Sequence, residues 1–199
     1  MLHKLIKEST AMLHAQLEQL MFVDEIMNGK LSFPKYKDIL ITNYLITAEY
    51  EPRLLEKIDS SALLRLEIHK RLKLDALLKD LADVEIKADD LKSTTGKLFG
   101  PAHALGCLYV LEGATLGGNI IARKLKENGF LAPYKLNFNY YKVYGEELIS
   151  YWKQFCETIN EQPAENYDEI IEGAKFMYNA FIELRLLVAN KLIENDGRV

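Results

Sequence analysis

The sequence predicts an all-α, single-domain protein, and three observations carry that expectation. Apolar residues recur at three- and four-residue intervals through several long segments. No stretch alternates apolar and polar residues as a strand does, and no repeat or low-complexity tract divides the chain. The 199 residues, 49% of them hydrophobic, suffice for one buried core.

The first element runs from Leu2 to about Met21, where Leu2, Leu5, Ile6, Leu13, Leu17, Leu20 and Met21 keep helical spacing. Lys7, His14 and Met21 lie seven apart on one stripe of it, and Thr10 and Glu18 flank His14 at i−4 and i+4. Asn28-Gly29 and Phe33-Pro34 mark a connection to a second helix, about Pro34 to Glu56. Its Tyr36, Ile39, Leu40, Asn43, Tyr44, Ile46 and Tyr50 form a broad apolar face, and Pro52 is expected to kink or divide it. Leu63 to Leu81 reads as one or two shorter helices whose alternating charges suit a solvated surface, and His69 receives no role there. Lys87 to Thr95 is a polar connection.

Gly100 to Leu125 is the stretch around which the rest is arranged. Pro101 suits a first helical turn, and the run is apolar through Leu105, Leu108, Val110 and Leu111. It then meets Gly113-Ala114-Thr115-Leu116-Gly117-Gly118 and resumes as helix. Each glycine inside a helix costs about 1 kcal/mol relative to alanine, so the missing side chains need a purpose. Gly106, Gly113 and Gly117 at i, i+7 and i+11 share one face of a continuous helix, a smooth floor for a flat ligand or a second helix. A close helix crossing alone explains Gly113-x-x-x-Gly117 but not the adjacent Gly117-Gly118 pair.

Asn128-Gly129 is a helix stop. Phe138 to Gly145 is strongly aromatic without helical spacing. Glu146 to Asn160 returns to helix with Leu148, Tyr151, Trp152, Phe155 and Ile159 on one side. Pro163 to Asp168 is a loop, and a long last helix runs from Asp168 to about Ile193.

Charge and composition exclude several classes. With 25 basic and 29 acidic residues the net charge is −4, which argues against nucleic acid as a partner. Cys107 and Cys156 stand 49 residues apart with no metal-type spacing and read as reduced thiols. The N-terminus lacks the apolar core of a signal peptide, and no continuous run of 18 apolar residues provides a membrane span. A soluble, cytoplasmic domain is expected.

Familiar catalytic machinery is missing: no phosphate loop, no His-Glu-x-x-His, and no paired Glu-x-x-His of a di-iron bundle. There remain one candidate metal ligand, His14, whose second ring nitrogen Glu18 or a backbone carbonyl could orient, and one glycine-floored helix. A single imidazole opposite a side-chain-poor helix is what a haem sandwich needs when the far iron position must stay open for oxygen.

Here the residues resemble a known family. Leu108 to Gly118, LYVLEGATLGG, looks like the distal-helix signature of bacterial biliverdin-producing haem oxygenases, and Lys7 to Glu18, KESTAMLHAQLE, is similar to that family's proximal helix. Tyr36 to Leu40 through Glu49 to Glu51, Tyr144-Gly145 with Trp152 and Phe155, and Ile171 to Phe176 also match, in the family's order. The resemblance implies haem held between the N-terminal proximal helix and the glycine-rich distal helix, and its cleavage with molecular oxygen to biliverdin, carbon monoxide and ferrous iron. It implies His14 as iron ligand with Glu18 behind it, Gly113 and Gly117 as the distal floor, Gly118 as a source of flexibility, and Lys7 near a haem propionate. Electrons would come from a ferredoxin or a flavin reductase.

The chain departs from the family at three positions. Ala114 stands where animal members carry an aspartate and bacterial relatives often a serine; Ala11 replaces a basic residue; and Glu157 falls where an arginine would pair with a propionate. Lys153, one turn before Glu157, is expected to substitute. A non-catalytic haem-binding or haem-sensing role, or a relative that no longer binds haem, is the main alternative. A thiamin-degrading activity through Cys107 is disfavoured because Glu112 lies about 140° around the helix from it.

Overall fold

A computed structural model describes residues 1–91 and 97–196, with side chains to residue 190. Residues 92–96, the end of the expected polar connection, lie outside the described residues. Among the described residues ten α-helices follow in order: α1 Leu2–Ser9, α2 Ala11–Leu20, α3 Val23–Met27, α4 Phe33–Lys57, α5 Ser60–Arg65, α6 Leu74–Asp83, α7 Pro101–Gly113, α8 Gly118–Lys126, α9 Leu148–Asn160 and α10 Tyr167–Asp196. Short 3₁₀ turns join several of them, and no strand occurs among the described residues.

Three elements differ from expectation. The N-terminal helix is two helices, interrupted at Thr10, whose hydroxyl donates to the Ile6 carbonyl at 2.8 Å. That side-chain bond competes with the helical ladder and marks the joint. Conversely, α4 runs unbroken through Pro52. Pro52 is exposed and Ala48, whose carbonyl loses its partner, is only half-buried, so water can replace the missing bond. The central stretch is not one helix: α7 stops at Gly113, residues 114–117 form a turn, and α8 starts at Gly118.

The break has a structural reason. The buried residues form two adjoining clusters. α7 packs into the first with α1, α9, α10 and the middle of α4, through Leu105, Leu108 and Leu111. α8 sends Leu125 into the second, with Ile26, Leu31, Tyr36, Leu77, Leu81 and Phe138. α4 serves both clusters as one helix, so the break is local: the Thr115 hydroxyl and amide close the turn on the Glu112 carbonyl. By length and mean hydropathy Pro101–Lys126 would pass for a membrane span, yet 61% of its apolar window is buried in the protein. It is a core element.

α10 is the spine. It packs against α1, α2, α4 and α7, and its Ile170, Ala174, Met177 and Phe181 are almost wholly buried.

Candidate functional site

α7 and α10 pass side by side in register. Gly100 lies beside Glu169, Gly106 backs onto the Ile170 carbonyl and the Ala174 amide, and Gly173 onto the His103 carbonyl. At Gly106 and Gly173 a Cβ would overlap backbone atoms, so both glycines serve this crossing. The expectation that Gly106 shares a ligand-facing floor with Gly113 and Gly117 is therefore corrected: Gly106 faces α10, and the helix ends before Gly117.

α2 lies along the same stretch of α10. The His14 ring meets Tyr178 edge-on, centroids 6.0 Å apart and planes at 75°, and Arg185 Nε donates to the Leu20 carbonyl at 3.0 Å. α10 thus carries both α2, at Tyr178 and Arg185, and α7. Both α2 and the α7–α8 break leave surface uncovered. His14 keeps a side-chain exposure of 54%, Ala114 is exposed, and Gly113 and Gly117 are half-buried.

His14 Nδ1 stands 3.4 Å from Glu18 Oε2, which leaves Nε2 free. At the α7–α8 break Gly113 has room: a Cβ there would meet only the Trp152 ring, at 3.8 Å, and one at Gly117 would press the Ile121 side chain at 3.3 Å. Gly118 is different. Its Cβ would collide with the Tyr141 carbonyl, so its expected contribution of flexibility gives way to close packing between α8 and the turn at Tyr140–Lys142. Ala114 presents only a methyl group. Lys7, exposed in the last turn of α1, has no ion-pair partner among the described residues.

Lys153 does not join these residues. It is 77% exposed, 4.0 Å from Glu157 Oε1, and borders a depression of about 670 Å³ with Glu67, Lys70, Glu147 and Gln154 that contains none of them. On α10, Arg185 is buried, pairs with Asp38 at 3.2 Å and rests over Phe22. Its Nη1 is the one buried side-chain polar atom without a partner among the described residues.

The donor set suits a metal that arrives already held. No group of three or more His, Cys, Asp and Glu side chains converges among the described residues, so these do not assemble a four-donor protein metal site. One imidazole with a free nitrogen is what an iron carried by a macrocycle requires. Cys107 is unsuited to nucleophilic chemistry: burial pushes its thiol up to about 12, and its sulfur lies 3.2 Å from the Gly173 carbonyl.

Sequence reading missed the charges behind the break. Arg71 and Lys73 are buried rather than solvated. Arg71 Nη1 pairs with Glu112 Oε2 at 2.6 Å and Lys73 Nζ with Glu112 Oε1 at 2.7 Å. The Tyr144 hydroxyl donates to Glu112 Oε1 at 2.7 Å. Burial alone would raise the Glu112 carboxyl, but the Lys73 and Arg71 charges outweigh it and hold it below the usual carboxylate range. The signal that could have found this cage is Glu112 itself, a lone charge in an apolar helix that must be matched.

Comparison with known proteins gives the family and the fold. The profile of the heme oxygenase family matches residues 1–186. A search of curated protein sequences finds no match. Among solved structures, NO- and CO-bound heme oxygenase from Neisseria meningitidis is similar with a TM-score of 0.71 at 19% identity, over 94% of this chain and 91% of that chain. A heme oxygenase of the cyanobacterium Synechocystis in complex with heme is similar with a TM-score of 0.69 at 16% identity, over 98% of this chain and 96% of that one.

Proposed function

This chain belongs to the heme oxygenase family, and from that premise we propose how its own residues serve the oxidative cleavage of haem to biliverdin, carbon monoxide and ferrous iron. One observation supports the assignment most: His14, with Nε2 free, is half exposed on a helix that packs on α10, and α7, which packs on the same helix, ends at an uncovered break containing Gly113, Ala114 and Gly117; the cleft is read as lying between them. Bound haem supplies a redox-active iron and the porphyrin ring that is itself oxidised by molecular oxygen and external electrons.

His14 would hold the haem iron through Nε2, with Glu18 accepting from Nδ1 so that the ring presents the other nitrogen. Tyr178 limits rotation of the imidazole by its edge-on contact. Gly113 and Gly117 keep the opposite wall low enough for a flat ring. Because Ala114 offers no hydroxyl or carboxylate, protons on that side pass through backbone groups or ordered water. Lys7 at the mouth takes a carboxylate arm of the substrate by a charge-assisted bond. Lys153, paired outward with Glu157, leaves that task to Lys7. The electron donor is a ferredoxin or a flavin reductase, and the setting is cytoplasmic.

The test is turnover. Hemin-loaded protein supplied with ascorbate in air should lose its Soret band and develop the broad red absorption of biliverdin, with carbon monoxide released. A bound spectrum unchanged by reductant and oxygen would replace this reading with a carrier or sensor.

A further inference from the structure

The Glu112 cage lies immediately behind the break, and it joins four parts of the chain. From α4, Glu51 accepts the Lys73 amide at 2.9 Å and the Leu74 amide at 3.4 Å. From the 71–73 segment come the two cations. Arg71 also donates to the Leu66 carbonyl at 2.6 Å and reaches α9 at the Tyr151 carbonyl, 3.1 Å, and Gln154 Oε1, 2.7 Å. Tyr144, in the turn before α9, donates to Glu112 at 2.7 Å and lies 3.2 Å from the Arg71 carbonyl. Two cations balance two carboxylates inside the protein.

Glu112 acts at both of its ends. Its carboxylate is fixed by three donors, and its main-chain carbonyl accepts the Thr115 hydroxyl at 2.8 Å and the Thr115 amide at 3.3 Å. The second pair closes the turn that separates α7 from α8. Gly113, next in sequence, is the first residue of the wall that faces His14. A buried ion cluster contributes little net stability compared with apolar packing of equal volume, so stability alone explains it poorly. Backbone placement explains it better.

We infer that Glu112 is a positioning residue, whose cage fixes the height and orientation of the Gly113–Gly117 wall over the His14 cleft. The inference rests on the haem-cleaving reading of that cleft. Within the break only the Thr115 hydroxyl locks the turn, and its acceptor is the Glu112 carbonyl; residue 114 offers no polar group. The lock therefore sits one residue earlier, anchored to elements outside the cleft. Loosening the cage lets the wall sample several heights without displacing any group that touches the substrate.

Two variants and two readouts test this. Tyr144→Phe removes one hydrogen bond from Glu112 and keeps both ion pairs; Glu112→Gln weakens the whole cage. In the ligand-free protein, amide hydrogen exchange at Ala114, Leu116 and Gly118 should accelerate tenfold or more in Glu112→Gln and a few-fold in Tyr144→Phe. In Tyr144→Phe, which keeps both ion pairs, amides at the Gly106–Gly173 crossing should be unchanged. With hemin reduced under carbon monoxide, the carbon monoxide stretching band should broaden or split in both variants. Exchange at 114–118 equal to the parent, or acceleration spread evenly through α7 and α10, would overturn the inference. So would a single unshifted band beside a parent band of the same width. If Glu112→Gln does not fold, Tyr144→Phe decides the matter. If the parent itself does not bind hemin, the cleft assignment falls and the exchange measurement still tells whether the cage holds the break.

Discussion

Glycines in this chain perform two separable tasks, and substitution should tell them apart. At Gly118 an added methyl group collides with the Tyr141 carbonyl, which is backbone and cannot swing aside. Gly118→Ala is expected to destabilise the fold by about 1–3 kcal/mol, the usual cost of overpacking, measurable by urea unfolding. Gly113→Ala meets only the edge of Trp152 at ordinary contact distance, so its stability should match the parent while hemin binding weakens several-fold. Equal loss of stability in both variants would contradict the division. Behind the imidazole, Glu18→Ala should weaken hemin binding by several-fold rather than the 10–100-fold typical of buried partners of metal-bound histidines. Both side chains are about half exposed and water competes for the bond. A hemin titration distinguishes these. His14 and the glycines were legible as residue types at informative spacing. That Gly106 and Gly118 belong to packing was not, because the backbone each approaches, at Ile170 and Tyr141, lies 64 and 23 residues further along the chain.

At the scale of elements the cage behind the break dominates. An unfolded Glu112 titrates near 4.5, and in the folded protein its carboxyl is held lower by Lys73 and Arg71 against the opposing effect of burial. A depressed folded value stabilises the protein above about pH 4.5 and loses that contribution as pH falls through the folded value. Glu112→Gln should therefore cost about 3–5 kcal/mol at pH 7, the range for breaking a buried pair. The gap to the parent should narrow below pH 4.5, as the parent's own carboxylate protonates. Glu51 works in the opposite sense: burial raises its carboxyl, so its contribution is lost as pH rises through its folded value. A gap independent of pH would contradict the role given to the Glu112 charge. The two cations were read from sequence as members of a solvated, alternating pattern. Periodicity cannot reveal that the chain at Arg71–Lys73 turns inward, since the cause is a carboxylate 39 residues further along. Nor could it show that α4 survives Pro52, which depends on which side of the helix meets water.

For the molecule as a whole, α10 sets the geometry by carrying α2 and α7 along one face, and the break between α7 and α8 lets the chain pass from one apolar cluster to the other. The existence and order of the long helices followed from hydrophobic spacing, and the family followed from the motifs of α2 and of the α7–α8 stretch. The break itself was hidden, because Leu108 to Leu125 is apolar enough to suggest one rod; the Thr115 bonds to the Glu112 carbonyl that close the turn show only in three dimensions. The cleft is thus a consequence of the fold: two helices seated on a common spine, one ending where side chains run out. Its central claim is that His14 binds the iron of haem in that cleft. The direct measurement is a hemin titration of the parent and of His14→Ala, each repeated with added imidazole. The parent should give a saturable Soret band. His14→Ala should lose at least tenfold in affinity and shift the band, and imidazole should restore the parent spectrum. A His14→Ala titration identical to the parent in affinity and spectrum would contradict the assignment and, with it, the cleft.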